Sequence, residues 1–118
     1  MKIKELIEKA YENANKKGFY NNLNTIVDLR ADVSINYEQY CDLMNDFKGN
    51  LLMSIASEVT EAHNELREGT AEKFNEELAD IVIRVASLAG MLGIDLEQEI
   101  INKMEKNKDR PYLHGKAF

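Results

Sequence analysis

The chain has a single cysteine, a single proline and no tryptophan in 118 residues. Cys41 has no second thiol to pair with, so no internal disulfide forms and a reducing, cytoplasmic setting fits. Its spacing offers no metal-ligating or nucleophilic partner, and it reads as a small buried apolar residue. Long apolar runs are missing too. Between residues 2 and 17 no run exceeds two residues, which argues against a signal peptide or membrane anchor. No later segment approaches the roughly eighteen apolar residues of a membrane span. Positive charge is also in short supply. A net charge of −6 argues against a general binder of nucleic-acid polymers or membrane surfaces, which is usually basic. A nucleotide is not excluded, because a metal ion and a local basic patch can hold one. What remains, 44% hydrophobic and 31% charged, is the composition of a soluble helical protein, with length for one domain, 1–118.

The abundant acid is patterned. Glu58-Val59-Thr60-Glu61 is followed after fifteen residues by Glu77-Leu78-Ala79-Asp80. Each pair is spaced i, i+3, so on a helix both carboxylates lie on one side, a turn apart. Gly69-Thr70 between them reads as a helix stop followed by an N-cap. Folding the chain back about Gly69 brings Glu61 level with Glu77 and Glu58 level with Asp80, so four carboxylates converge. Leu52, Ile55, Val59, Ala62 and Leu66 form a helical apolar stripe in the first segment. Phe74, Leu78, Ile81, Val85, Leu88 and Leu92 form one in the second. Such a group of acids repels itself, and burial raises some of its pKa values. A divalent cation relieves both effects, and oxygen-only ligands suit Mg²⁺ or Mn²⁺. The alternative is a solvated acidic face; two pairs level across one hairpin favour the metal.

Elsewhere the periodicity predicts a helix over residues 2–17 stopped by Gly18, a short one near 21–31 and another near 36–48, with Gly49-Asn50 breaking or kinking the chain before the acidic helix. Phe19, Tyr20, Tyr37 and Tyr40 are candidates for stacking on a base, though core or interface packing suits them as well. Glu65, one turn beyond Glu61, either assists the metal or is a surface charge, and His63 points away. Lys73 and Arg84 lie four residues from Glu77 and Asp80 and suit weak surface ion pairs; Arg84 alternatively reaches a phosphate. Gly90 and Gly93 close the second acidic helix, and Asp95 with Gln98 caps the next. That helix runs to about Asp109, ahead of Pro111.

Along this last helix, Lys103, Asn107 and Arg110 fall within about 60° of one another. From 103 to 116 there are five Lys or Arg against two acids. This inversion of charge is what an anionic triphosphate needs opposite a metal cluster, unless it merely suits a helix C-terminus.

These residues resemble the MazG-like, all-α nucleoside triphosphate pyrophosphohydrolases, whose motif is EExxE, a spacer and ExxD. The resemblance is strongest from Leu51 to Phe118. Ser57 stands at the first Glu of the doublet, while Glu58, Glu61, Glu77 and Asp80 all match. Related phosphoribosyl-ATP pyrophosphohydrolases continue ExxD with Tyr-His where this chain has Ile83-Arg84, which argues against that enzyme. Lys103-xxx-Asn107-xx-Arg110-Pro111 and His114-Gly115-Lys116 look like a C-terminal signature of the family. The resemblance therefore implies Lys103, Asn107, Arg110 and Lys116 as phosphate contacts, His114 more weakly, and part of the base contact from the N-terminal region.

The expectation is an all-α bundle of four to six helices built on the antiparallel pair. The implied activity is Mg²⁺-dependent hydrolysis of a nucleoside triphosphate to the monophosphate and pyrophosphate. Glu58, Glu61, Glu77 and Asp80 would hold metal, with Glu58 or Glu61 as the candidate general base. Wide apolar stripes in so short a chain suggest burial between subunits, and the resemblance implies a homodimer or homotetramer. Two alternatives stay open: another pyrophosphate substrate, such as a deoxyuridine nucleotide or an alarmone, and a non-catalytic helical adaptor whose acids only form ion pairs.

Overall fold

In a computed structural model, which describes residues 1–112, the chain forms five α-helices: α1 (Ile3–Lys16), α2 (Asn21–Ala31), α3 (Tyr37–Glu68), α4 (Ala71–Leu92) and α5 (Leu96–Lys108). There is no strand among the described residues, so the fold is all-α as expected. Among the described residues no helix is long and apolar enough to cross a membrane.

The expected kink at Gly49-Asn50 does not occur. α3 runs unbroken for 32 residues, which at 1.5 Å per residue accounts for most of the molecule's 51 Å length. An interior glycine costs a helix about 1 kcal/mol relative to alanine, and anchoring on both sides offsets that cost. Phe47 is buried in the core and Leu51, one turn on, packs against the same core, so the axis is held straight across Gly49. The start of α3 is fixed by a reciprocal capping box. Asn36 accepts from the Gln39 amide, and the Gln39 side chain accepts from the Asn36 amide.

α3 and α4 form the antiparallel hairpin expected about Gly69, and Thr70 caps α4 by accepting from the Lys73 amide. α1 also packs along α4, while α2 lies on α3 and α5 on α1. Gly90 does not end α4. It lies inside the helix where α1 crosses, and a Cβ there would come within 2.7 Å of Tyr11 Cβ. The helix stop is Gly93, in the left-handed region at φ 68°.

The core gathers around Tyr20, Ile26 and Phe47. Tyr20 stacks on Tyr11 at 5.4 Å and meets Phe47 edge-on at 6.5 Å, and its hydroxyl is hydrogen-bonded to Ser87 Oγ. Tyr20 is thereby a core residue, and it also lines the cleft beside Phe19. Cys41 is half-buried, where full burial was expected. Among the described residues no large side chain is completely enclosed.

Candidate metal centre

The hairpin brings Glu58 of α3 together with Glu77 and Asp80 of α4. One carboxylate oxygen from each lies within 4.8 Å of the others. Glu58 and Glu77 are half-buried and Asp80 is exposed. Glu61, one turn beyond Glu58, is exposed and stands outside this group of three. It is still close enough for its charge to act on Glu77.

Repulsion among these acids falls on Glu77, whose carboxyl is pushed from 4.5 up to about 7. The first cause is a proton shared with the Glu58 carboxylate. Desolvation follows, and then the charges of Glu61, Glu58 and Asp80. Among the described residues no fixed donor reaches Glu77 Oε2, which is buried. A divalent cation fits this arrangement. Three hard oxygen donors converge, one buried oxygen lacks a partner, and a proton takes up charge that a cation would neutralise better. The donors are hard oxygens and do not suit a soft thiophilic metal.

Arg84 has a place that sequence spacing did not single out. Its Nη2 lies 2.9 Å from Glu58 Oε1 across the helix interface, instead of pairing with Asp80 four residues back. The guanidinium also sits 5.8 Å from the centre of the Phe19 ring. Its side of the helix was legible, since Glu77, Asp80 and Arg84, spaced i, i+3 and i+7, share one face of α4, but its partner was not.

Beside the cluster opens a cleft of about 240 Å³ between α1, α3 and α4. Asp80 and Arg84 line it, with Phe19, Asn13, Ser54 and Ile83 among the remaining walls. Phe19 is held at the mouth by the end of α1. Gly18 adopts φ 84°, and the Phe19 amide then bonds the Ala14 carbonyl at 3.1 Å. Asn13 and Ser54 were not foreseen, since nothing in a one-dimensional pattern marks which polar residues border a cleft. Tyr37 is largely exposed beside Tyr40, and neither lines the cleft.

Other candidates lie elsewhere. Glu65 does not join the three carboxylates. Its buried Oε2 folds over Gly69, so close that a Cβ there would lie 1.6 Å away and the carboxylate would have to swing aside. His63 is exposed. Lys103, Asn107 and Arg110 are all exposed, on α5 or just past its end. Their side chains make no hydrogen bond or ion pair among the described residues, and they do not line the cleft of their own chain. His114 and Lys116 lie outside the described residues.

The sequence model of the MazG-like family matches residues 42–117, a span that contains the whole carboxylate cluster and α5. No curated protein and no solved structure matches the chain.

Proposed function

The chain belongs to the MazG-like family, and on that premise we propose that it is a single-domain, divalent-metal-dependent pyrophosphohydrolase that converts a nucleoside triphosphate and water to the monophosphate and pyrophosphate. The observation that carries this reading is that Asp80 belongs both to the carboxylate cluster and to the wall of the cleft. A ligand in the cleft therefore has its reacting end beside the cluster. At about 240 Å³ the cleft stands at the small end of ligand sites, which suits a nucleoside. Phe19 offers an aromatic face and Asn13 a donor–acceptor pair for a base edge.

In this reading Glu58, Glu77 and Asp80 hold the cation, and Glu61 completes the set from the rim. The cation, Mg²⁺ or Mn²⁺, supplies Lewis acidity and lowers the pKa of bound water. One glutamate serves instead as general base for the attacking water: Glu61, which is exposed and outside the group of three, in place of its ligand role, or Glu58. The stripe of Lys103, Asn107 and Arg110, with Lys116, meets phosphate oxygens.

A second copy of the chain completes the fold. Leu52, Val59 and Leu66 on α3 and Leu78, Val82 and Val85 on α4 are exposed. Each follows, by one residue, a half-buried residue of the α3–α4 interface: Leu51, Glu58, Glu65, Glu77, Ile81 and Arg84. One residue is a rotation of 100°, in opposite senses on antiparallel helices viewed down one axis, so both sets come to the same side of the hairpin. A continuous apolar face of that width supports a homodimer or homotetramer.

The test is a screen of the common ribonucleoside and deoxyribonucleoside triphosphates with Mg²⁺ and identification of the products. Monophosphate with pyrophosphate is expected. Diphosphate with phosphate, or no turnover of any triphosphate, would contradict the proposal.

A further inference from the structure

Three ion pairs occur among the described residues, and only Arg84–Glu58 joins two helices. A pair at Asp80, i−4 on the same helix, was open to Arg84. The guanidinium instead crosses to Glu58, whose side chain is 13% exposed. Among the described residues it is the only basic one lining the cleft, where Asp80 of the cluster also stands. The Arg84 side chain is itself 37% exposed and rests against Phe19 at the cleft mouth, so one side of its fork holds Glu58 while the rest is open to the cleft.

We propose that Arg84 is a displaceable counter-ion of the acidic cluster: bridging Glu58 and Phe19, it holds Glu58 against Glu77 and Asp80 until a divalent cation arrives, yields the Glu58 oxygen to it, and turns into the cleft to take a phosphate oxygen of the substrate. This rests on the pyrophosphohydrolase reading and adds to it an order of events, cation first and phosphate second. The physical basis is competition. Glu58 Oε1 is already occupied by a charge-assisted contact, and a dication entering beside a guanidinium meets like-charge repulsion. Phe19 limits where the released guanidinium can go. Its aromatic face retains the cation near the mouth, within the cleft that Arg84 already lines. A guanidinium suits this exchange because its planar fork accepts a carboxylate or a phosphate with the same geometry.

The test compares wild-type protein with Arg84→Gln and Arg84→Lys in two binding measurements, neither of which needs turnover. The first titrates Mn²⁺ alone, read by electron paramagnetic resonance. Arg84→Gln should bind Mn²⁺ about tenfold more tightly, the scale of one lost charge-assisted contact. The second measures inorganic pyrophosphate in the presence of saturating Mn²⁺. Here Arg84→Gln should bind about tenfold more weakly. Arg84→Lys keeps the charge without the fork and should fall between the two in both titrations; it carries the test alone if the glutamine variant does not fold. A residue that merely braces the helices would weaken both titrations together. Equal or weaker Mn²⁺ binding by the variants, with wild type binding normally, overturns the counter-ion role and leaves the proposed activity standing. Failure of wild-type protein to bind Mn²⁺ at all overturns both.

Discussion

Alanine at position 90 puts a methyl group where two helices already touch. The new Cβ would stand 2.7 Å from Tyr11 Cβ and 3.2 Å from Ile7 Cγ2, against about 3.5–4.0 Å for a comfortable carbon–carbon contact. Tyr11 Cβ is fixed to the α1 backbone and its ring is stacked on Tyr20, so relief requires α1 to move away from α4. Overpacking of this kind costs about 1–3 kcal/mol, partly offset by about 1 kcal/mol of helix propensity gained on replacing glycine. Gly49→Ala gains the same propensity, and its Cβ meets nothing within 4 Å. The difference between the two variants therefore isolates the α1–α4 contact. At roughly 4 °C per kcal/mol for a domain of this size, Gly90→Ala should melt about 4–12 °C below Gly49→Ala. Thermal unfolding followed by far-UV circular dichroism reads it directly. Equal or higher stability of Gly90→Ala would refute the close approach of α1 to α4, and with it the wall of the cleft formed by Ala10, Asn13 and Ala14.

Two further outcomes follow from the cluster and the exposed face. Because the folded-state pKa of Glu77 is raised to about 7 from 4.5, the folded protein binds that proton more tightly than the unfolded chain does. The resulting stability is fully present below pH 4.5 and is lost as pH rises through about 7. In chelator-treated protein the Tm contribution of this group should fall across that window, and Glu77→Gln should remove the slope; a slope unchanged in the variant would count against the shared proton. Val59→Glu and Val82→Glu each place a charge on the exposed apolar face. Sedimentation should show them smaller than the wild-type oligomer, whereas a wild-type monomer would mean that the face has no second copy on it.

Helix positions were largely legible because apolar periodicity and caps are local. Gly18, Thr70 and Gly93 mark their boundaries in the sequence, and the structure uses each of them. Gly49 and Gly90 misled for a common reason: a glycine's effect depends on what stands next to it in space. At Gly49 the surrounding core holds the helix straight, and at Gly90 the missing Cβ admits Tyr11. The i, i+3 acidic pairs about Gly69 predicted four converging carboxylates, and three of them, Glu58, Glu77 and Asp80, come together while Glu61 stands outside. The partner of Arg84 was not legible, because an arginine reaches acids on its own helix and on its neighbour alike, and only packing decides. Asn13 and Phe19 come to the cleft from α1 and the turn after it, far from the acidic motif in sequence, so no spacing rule connects them to it.

The most direct measurement is the rate of nucleoside triphosphate hydrolysis by purified Asp80→Asn with saturating Mg²⁺, taken beside its metal-free Tm. Asparagine keeps the size of the side chain and removes one anionic ligand from the point where cluster and cleft meet. Hydrolysis should fall at least about a hundredfold, in line with the loss of a metal ligand. The metal-free Tm should stay level or rise, because one repelling charge is gone. A wild-type rate in this variant would contradict the carboxylate cluster as the catalytic metal centre.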